Sequence, residues 1–316
     1  MNALDTLIVA APVFLALGAG ALAVGTGRFR DDHVEGLMNF GQNYALPCLL
    51  FEALARLDLA AAFDVDLLAS FYLGSAVCFL IGLGGAVLIF RRSPGDAVAM
   101  GFSSLYCNAV LLGLPITGRA FGNTALDANF AIVSFQAPVC YLIGITAMEI
   151  TRAQGDGAHR TAIRTMTALA RQPNMIALVL GLAVNLSGLR LPGFLAATLD
   201  TISNAALPVS LFALGGVMSR LRLRGSIGAS LFVAVISLVV RPAIVLALGL
   251  LAFDLSQASL RSAVLTAAMA PGVNSFLFAN LYERGRDVAA NSVLLGTGAL
   301  VLTAPAWITL LLLIGH

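Results

Sequence analysis

The chain has 316 residues, of which 59% are hydrophobic and only 11% charged, with a formal net charge of +2 and a mean hydropathy of +0.94. A soluble domain carries about 25% charged residues, so this composition lacks the polar side chains to coat a water-facing surface, and lipid is the simpler solvent. Its eighteen basic residues are all arginine and are scattered along the chain, which leaves no basic face for nucleic acid.

A membrane-spanning helix needs about 20 mainly apolar residues, and ten segments qualify in chain order. The first, 6–25, contains Pro12; it follows the start "MNALDTLIVAAP", which lacks the basic region of a cleaved signal peptide. The second, 36–55, holds Asn43 and Pro47 within "NYALPCLLF". Segments 66–90, 97–118 and 126–150 complete a first half. The longest polar connection, 151–172, separates it from 173–189, 195–218, 227–252, 259–282 and 288–314. The predicted division is therefore 1–150, a linker 151–172, and 173–316. Cys48, Cys78, Cys107 and Cys140 fall inside apolar segments without C-x-x-C spacing, and His33, His159 and His316 show no zinc spacing. No metal or other cofactor is expected.

Arginine placement predicts orientation. The odd-numbered connections hold thirteen arginines and the even-numbered ones four, which puts the odd connections in the cytoplasm and both termini outside. The two halves also echo each other. "NYALPCLLF" at 43–51 returns as "NAALPVSLF" at 204–212, and the offset of 161 also relates Pro12 to Pro173, Gly20 to Gly181 and Gly27 to Gly188. Further on, Asn108 pairs with Asn274 and Pro138 with Pro305 at offsets of 166 and 167. Five spans is an odd number, so the second copy enters the membrane inverted. The predicted fold class is an all-α integral membrane protein with ten transmembrane helices in two inverted five-helix repeats, the architecture of secondary transporters.

In such folds the site lies between discontinuous helices at matching places in the two halves. The fourth segment carries Asn108, Gly113 and Pro115 at its middle, and the ninth carries Pro271, Gly272, Asn274 and Ser275. Proline suits a first helical turn and glycine suits irregular backbone, so both segments are expected to break into half-helices. The second halves would then aim free N–H groups and positive dipole ends at one place, which favours an anionic substrate. The alternatives are that these prolines only kink their helices, and that Asn108 and Asn274 are interhelical glue.

Two further charges stand out. Arg241 lies mid-segment in "SLVVRPAIVLAL", where a cation must face protein or water; it either pairs with a substrate carboxylate or offsets the negative C-terminal ends of the first half-helices. Glu52 is either a proton carrier or an interfacial carboxylate paired with Arg56 one turn later. No Walker-type glycine loop, H-E-x-x-H or readable nucleophile–base pair is present, which argues against an enzyme or an ATP-driven pump.

"NAVLLGLPITGRAFGN", "RQPNMIALVLGLAVNLSGLRLPGFL", "ISNAALPVSLFALGGVMS" and "APGVNSFLFANLYE" resemble the fourth, sixth, seventh and ninth helices of the auxin efflux carrier family, which spans plant carriers and bacterial permeases such as malonate transporters. The resemblance runs from about residue 7 to residue 312. It implies ten helices, crossing fourth and ninth helices, and transport of organic carboxylates. It also implies a substrate-binding role for Asn108 and, through the sixth-helix "PN", an involvement of Pro173 and Asn174. The long cytoplasmic loop of some plant members is replaced by 151–172, so regulation through such a loop is not implied. The expected function is secondary transport of a small organic anion, with malonate or another dicarboxylate as candidate. Expected partners are the lipid bilayer and that anion, with a second copy of the chain as a candidate. The alternative is a sodium-coupled organic-anion symporter of the bile-acid type.

Overall fold

The computed structural model of the chain describes residues 3–59, 64–151, 163, 167, 170–189, 191–220, 223 and 225–314. Most of the predicted linker 151–172 lies outside the described residues, including Arg152, His159, Arg160 and Arg164, as do Arg190, Arg222, Arg224 and His316.

The described residues are helical apart from connections and one isolated antiparallel bridge, Cys107 to Pro271. In chain order the first half gives α1 (Ala3–Gly25), α2 (Asp31–Phe40), α3 (Leu46–Arg56), α4 (Val65–Leu88), α5 (Pro94–Leu105), α6 (Leu114–Phe121) and α7 (Asn123–Thr151). The second gives α8 (Pro173–Ser187), α9 (Gly193–Arg220), α10 (Ile227–Val235), α11 (Arg241–Leu251), α12 (Gln257–Ala267), α13 (Val273–Tyr282) and α14 (Arg286–Ile314). Among the described residues, six stretches are long and apolar enough to cross a membrane: Thr6–Gly25, Val65–Leu88, Thr124–Thr151, Gly193–Arg220, Ile227–Leu251 and Arg286–Ile314. They match the first, third, fifth, seventh, eighth and tenth predicted segments. The fourth and ninth fall short because they are broken. The sixth, α8, has 15 residues, about 22 Å against a hydrocarbon core of about 30 Å. Outward-facing leucines such as Leu22, Leu88, Leu251 and Leu302 are largely exposed, as a lipid-facing surface requires.

Prolines shape these helices in two ways. Pro12, Pro138, Pro208 and Pro305 sit inside uninterrupted α-helix. Pro47, Pro115 and Pro242 each follow a π turn by two residues, the turns being Gly41–Ala45, Ala109–Gly113 and Ile236–Val240. Proline lacks an N–H and crowds the carbonyl four residues earlier, and the wider π turn relieves that crowding. At Pro242 the carbonyl deprived of its partner is that of Leu238, and Trp307 Nε1 donates to it at 2.8 Å. Beside Pro12, Arg119 Nε donates to the Val9 carbonyl at 3.0 Å.

The chain divides into two compact units, and each draws segments from both halves of the sequence. One comprises 11–62 and 165–220, the other 1–10, 63–164 and 221–316. In the smaller unit the helices touch through glycine. A Cβ on Gly20 of α1 would overlap the Phe212 carbonyl oxygen of α9, and one on Gly181 of α8 would overlap the Phe51 carbonyl oxygen of α3. Asn185 Nδ2 donates to the Leu54 and Leu57 carbonyls at 2.8 and 2.7 Å, closing the C-terminal end of α3. An apolar groove of about 550 Å³ runs along Pro47, Phe51, Pro173, Ile176, Leu180 and Leu195. In the larger unit, Phe102 of α5 stacks on Phe278 of α13 with centroids 3.9 Å apart, and Gly144 of α7 leaves the space Phe102 occupies.

Candidate functional site

In the larger unit both predicted breaks are present, and they meet. Helix α5 ends at Leu105, and Tyr106 turns extended at φ −91°, ψ 114°. Helix α12 ends at Ala267, and the chain reaches Pro271 and Gly272 before α13 begins. The two extended stretches pair antiparallel: Asn108 N donates to the Ala270 carbonyl at 2.9 Å, and Gly272 N to that of Tyr106 at 3.1 Å. Gly272 permits this approach, because a Cβ there would lie 3.1 Å from the Cys107 carbonyl oxygen. Gly296 of α14 makes room for Pro271, whose Cδ would stand 2.8 Å from a Cβ at that position.

A broken helix leaves its last carbonyls without intrahelical partners, and in an apolar interior each must find another donor. Arg241, fully buried, supplies four bonds. Nε donates to Ala267 at 2.8 Å and Nη2 to Met269 at 2.7 Å, while Nη1 donates to Ser104 and Leu105 at 3.1 Å each. One guanidinium thus ties the C-terminal ends of α5 and α12 together. The Cys107 carbonyl is met by Gln136 Nε2 of α7 at 2.6 Å. With the two bridge bonds, the carbonyls at 104–107, 267, 269 and 270 all have donors.

The second halves begin at the same place. Asn108 caps the helical stretch Ala109–Phe121: its Oδ1 accepts from Leu111 N at 3.3 Å. Its Nδ2 is buried without a partner. Gly272 holds the corresponding cap position on α13. Asn274 stands two residues further in and donates to Tyr106 Oη at 2.7 Å. Ser275 Oγ, in the first turn of α13, is fully buried and has no partner. Such a place offers free N–H groups, two positive helix ends, an amide N–H₂ and a hydroxyl. That set suits a carboxylate.

Asn108, Pro271, Gly272, Asn274, Ser275 and Arg241 therefore come together. Gly113 and Pro115 do not sit in the break; they lie in and just after the π turn, five and seven residues beyond Asn108. The remaining predicted residues belong to the smaller unit. Asn43 is exposed and bonds Asn39, and Asn174 is half-buried in the first turn of α8. Glu52 is buried; its Oε1 lies 2.7 Å from Arg56 Nη2, and its Oε2 accepts from Ser203 Oγ at 2.9 Å. Arg56 also reaches Asp200 at 3.4 Å. Tyr106 and Gln136 are additions. The signal for Gln136 was a polar amide in the middle of apolar 126–150, and for Tyr106 its place two residues ahead of Asn108.

A profile of the membrane transport protein family matches residues 6–308. The "Uncharacterized transporter YfdV" of Escherichia coli (strain K12) is 23% identical over 310 residues, covering 94% of this chain and 95% of the relative. The "Putative malonate transporter" of Rhizobium meliloti (strain 1021) is 24% identical over 259 residues, 80% of this chain and 79% of the relative. The "Probable auxin efflux carrier component 5a" of Oryza sativa subsp. japonica is 24% identical over 336 residues, 90% and 91%.

Proposed function

The chain belongs to the membrane transport protein family, that of the auxin efflux carriers, and from this premise we propose that it is a secondary transporter moving a small organic anion across the cytoplasmic membrane by alternating access. The observation that carries the proposal is the crossing of the two broken helices, where capped and uncapped N-termini meet beside the unpartnered Asn108 Nδ2 and Ser275 Oγ. A carboxylate fits those donors, and malonate is the first candidate because one relative bears that name. Asn108 and Ser275 would contact the anion, and Gly272 and Pro271 would keep the backbone open to it. Arg241 is best placed as a positioning residue, since its bonds run to the C-terminal ends of both first halves. Glu52 is the candidate proton carrier, held by Arg56 and Ser203.

The same proposal takes the fold as ten spans in two inverted repeats, with both termini outside. Two contacts support the repeat. At the 161-residue offset, Gly20 and Phe212 map onto Gly181 and Phe51, and both pairs make the same glycine-on-carbonyl contact. The relatives named above give the sodium-coupled bile-acid alternative no support. Uptake of labelled malonate into proteoliposomes, with sodium gradient, proton gradient and membrane potential imposed one at a time, tests the proposal. Saturable uptake that one of these drives is the expected result. Product formation from malonate without any gradient would overturn it.

A further inference from the structure

We propose that the crossing accepts one negative charge, so that a dicarboxylic acid is carried as its half-protonated monoanion. This rests on the crossing being the anion site. A helix end carries about half an elementary charge, positive at the N-terminus and negative at the C-terminus. Arg241 contributes a full positive charge, but its four bonds set it against the C-terminal ends of α5 and α12. Guanidinium and helix ends offset each other there. What remains to face a substrate are the N-terminal ends of Ala109–Phe121 and Val273–Tyr282, together about one positive charge.

The polar atoms beside these ends add donors and no charge. Asn108, 7% exposed, and Ser275, 0% exposed, present Nδ2 and Oγ without protein partners. A monocarboxylate completes this balance. A dianion leaves one charge uncompensated among buried apolar groups, where an ion lowers its free energy by taking up a proton. The proton then resides on the substrate.

Among the described residues, no side chain of the larger unit is placed to carry that proton instead. Near the breaks the titratable groups are Tyr106 and Cys107, Cys140 and Tyr141 of α7, Tyr282 of α13, Tyr72 and Cys78 of α4, and Arg241. Residues of these types ordinarily titrate above about pH 8. The described carboxylates lie toward helix ends: Asp64 and Glu283 at caps, Asp66, Asp96 and Asp287 in first turns, Asp127 and Glu149 near the two ends of α7, and Asp254 beyond α11. Arg119 is held on the Val9 carbonyl and Arg261 over the Phe121 ring at 5.1 Å.

The test measures uptake of malonate, hydroxymalonate and propionate into proteoliposomes between pH 4 and 8 at constant ionic strength. Above the second ionisation of each diacid, its KM in total concentration should rise by up to about tenfold per pH unit. The hydroxyl of hydroxymalonate withdraws electrons and lowers its second ionisation, so its profile should be displaced to lower pH than that of malonate, and propionate should show no such rise. Diacid KM values that stay flat through the second ionisation would overturn the proposal. So would malonate and hydroxymalonate profiles bending at one common pH, which would assign the proton to a protein group. Absence of saturable uptake for all three acids would overturn the anion site itself and this inference with it, and is distinguished by that shared loss.

Discussion

Arg241→Gln removes a buried cation that donates to four carbonyls on two helix ends. Hydrogen bonds between membrane helices average about 0.6 kcal/mol, and bonds to charged groups start at about 1.5 kcal/mol, so four contribute from about 2.4 to about 6 kcal/mol. The glutamine amide replaces at most two of them and offsets no helix end. The expected loss is about 2–4 kcal/mol. At about 2 °C per kcal/mol, the unfolding midpoint of the empty protein should fall by about 4–8 °C. The chain contains its own reporter. Trp307 is the only tryptophan, and its Nε1 bonds the Leu238 carbonyl one turn before Arg241, so its fluorescence follows unfolding where the substitution acts. Arg241→Lys, which keeps the charge and loses the planar fork, should fall between. An Arg241→Gln protein with an unchanged midpoint and substrate binding weakened tenfold to a hundredfold would refute the reasoning and make Arg241 a substrate ligand.

Topology can be checked with single cysteines in a background lacking Cys48, Cys78, Cys107 and Cys140: Arg91→Cys should react with an impermeant thiol reagent only after permeabilisation, and Arg261→Cys in intact cells. Gly20→Val and Gly181→Val should each destabilise by about 1–3 kcal/mol in thermal unfolding, because each Cβ meets a backbone carbonyl, whereas Gly18, with open space around it, should accept alanine without loss. Asn108→Ala should raise KM for malonate uptake with the unfolding midpoint nearly unchanged; an unaltered KM would remove Asn108 from the site. Glu52→Gln should lower the stimulation of malonate uptake by an imposed proton gradient to the part that follows the monoanion concentration, while uptake driven by membrane potential persists, and full proton stimulation in that variant would leave Glu52 as a partner of Arg56 only.

The ninth-segment break was legible because Pro271 and Gly272 stand in it, so local chemistry and backbone agree. In the fourth segment Asn108 stands at the break, whereas Gly113 and Pro115 lie beyond it. Pro115 looked like the interruption, yet a π turn absorbs it, and the extended stretch is fixed by pairing with 270–272, a long-range contact that no local pattern announces. The same reason hid the counterpart of Asn108. Sequence similarity picked Asn274, but the cap on α13 is Gly272, and Asn274 serves Tyr106 instead. Apolar length located the six long spans, whereas the grouping of helices into two units depends on which faces touch, as at Gly20 and Gly181. Composition alone does not specify such pairings.

The π turn at Ile236–Val240 has a consequence for insertions and deletions. Such a turn fits one residue more than the α-helical turn it replaces, and each residue advances a helix by about 100°. Deleting a single residue there would fuse α10 and α11 into one regular helix with Arg241 on nearly the same face, whereas α10 itself has no surplus residue to give up. Everything beyond a deletion in α10 would rotate by about 100° relative to the residues before it. Arg241 would keep its identity and nearly its depth, but its guanidinium would point to a different neighbour, and four carbonyls would lose their donor together. The phase of the backbone, as much as the choice of arginine, delivers that charge to the crossing.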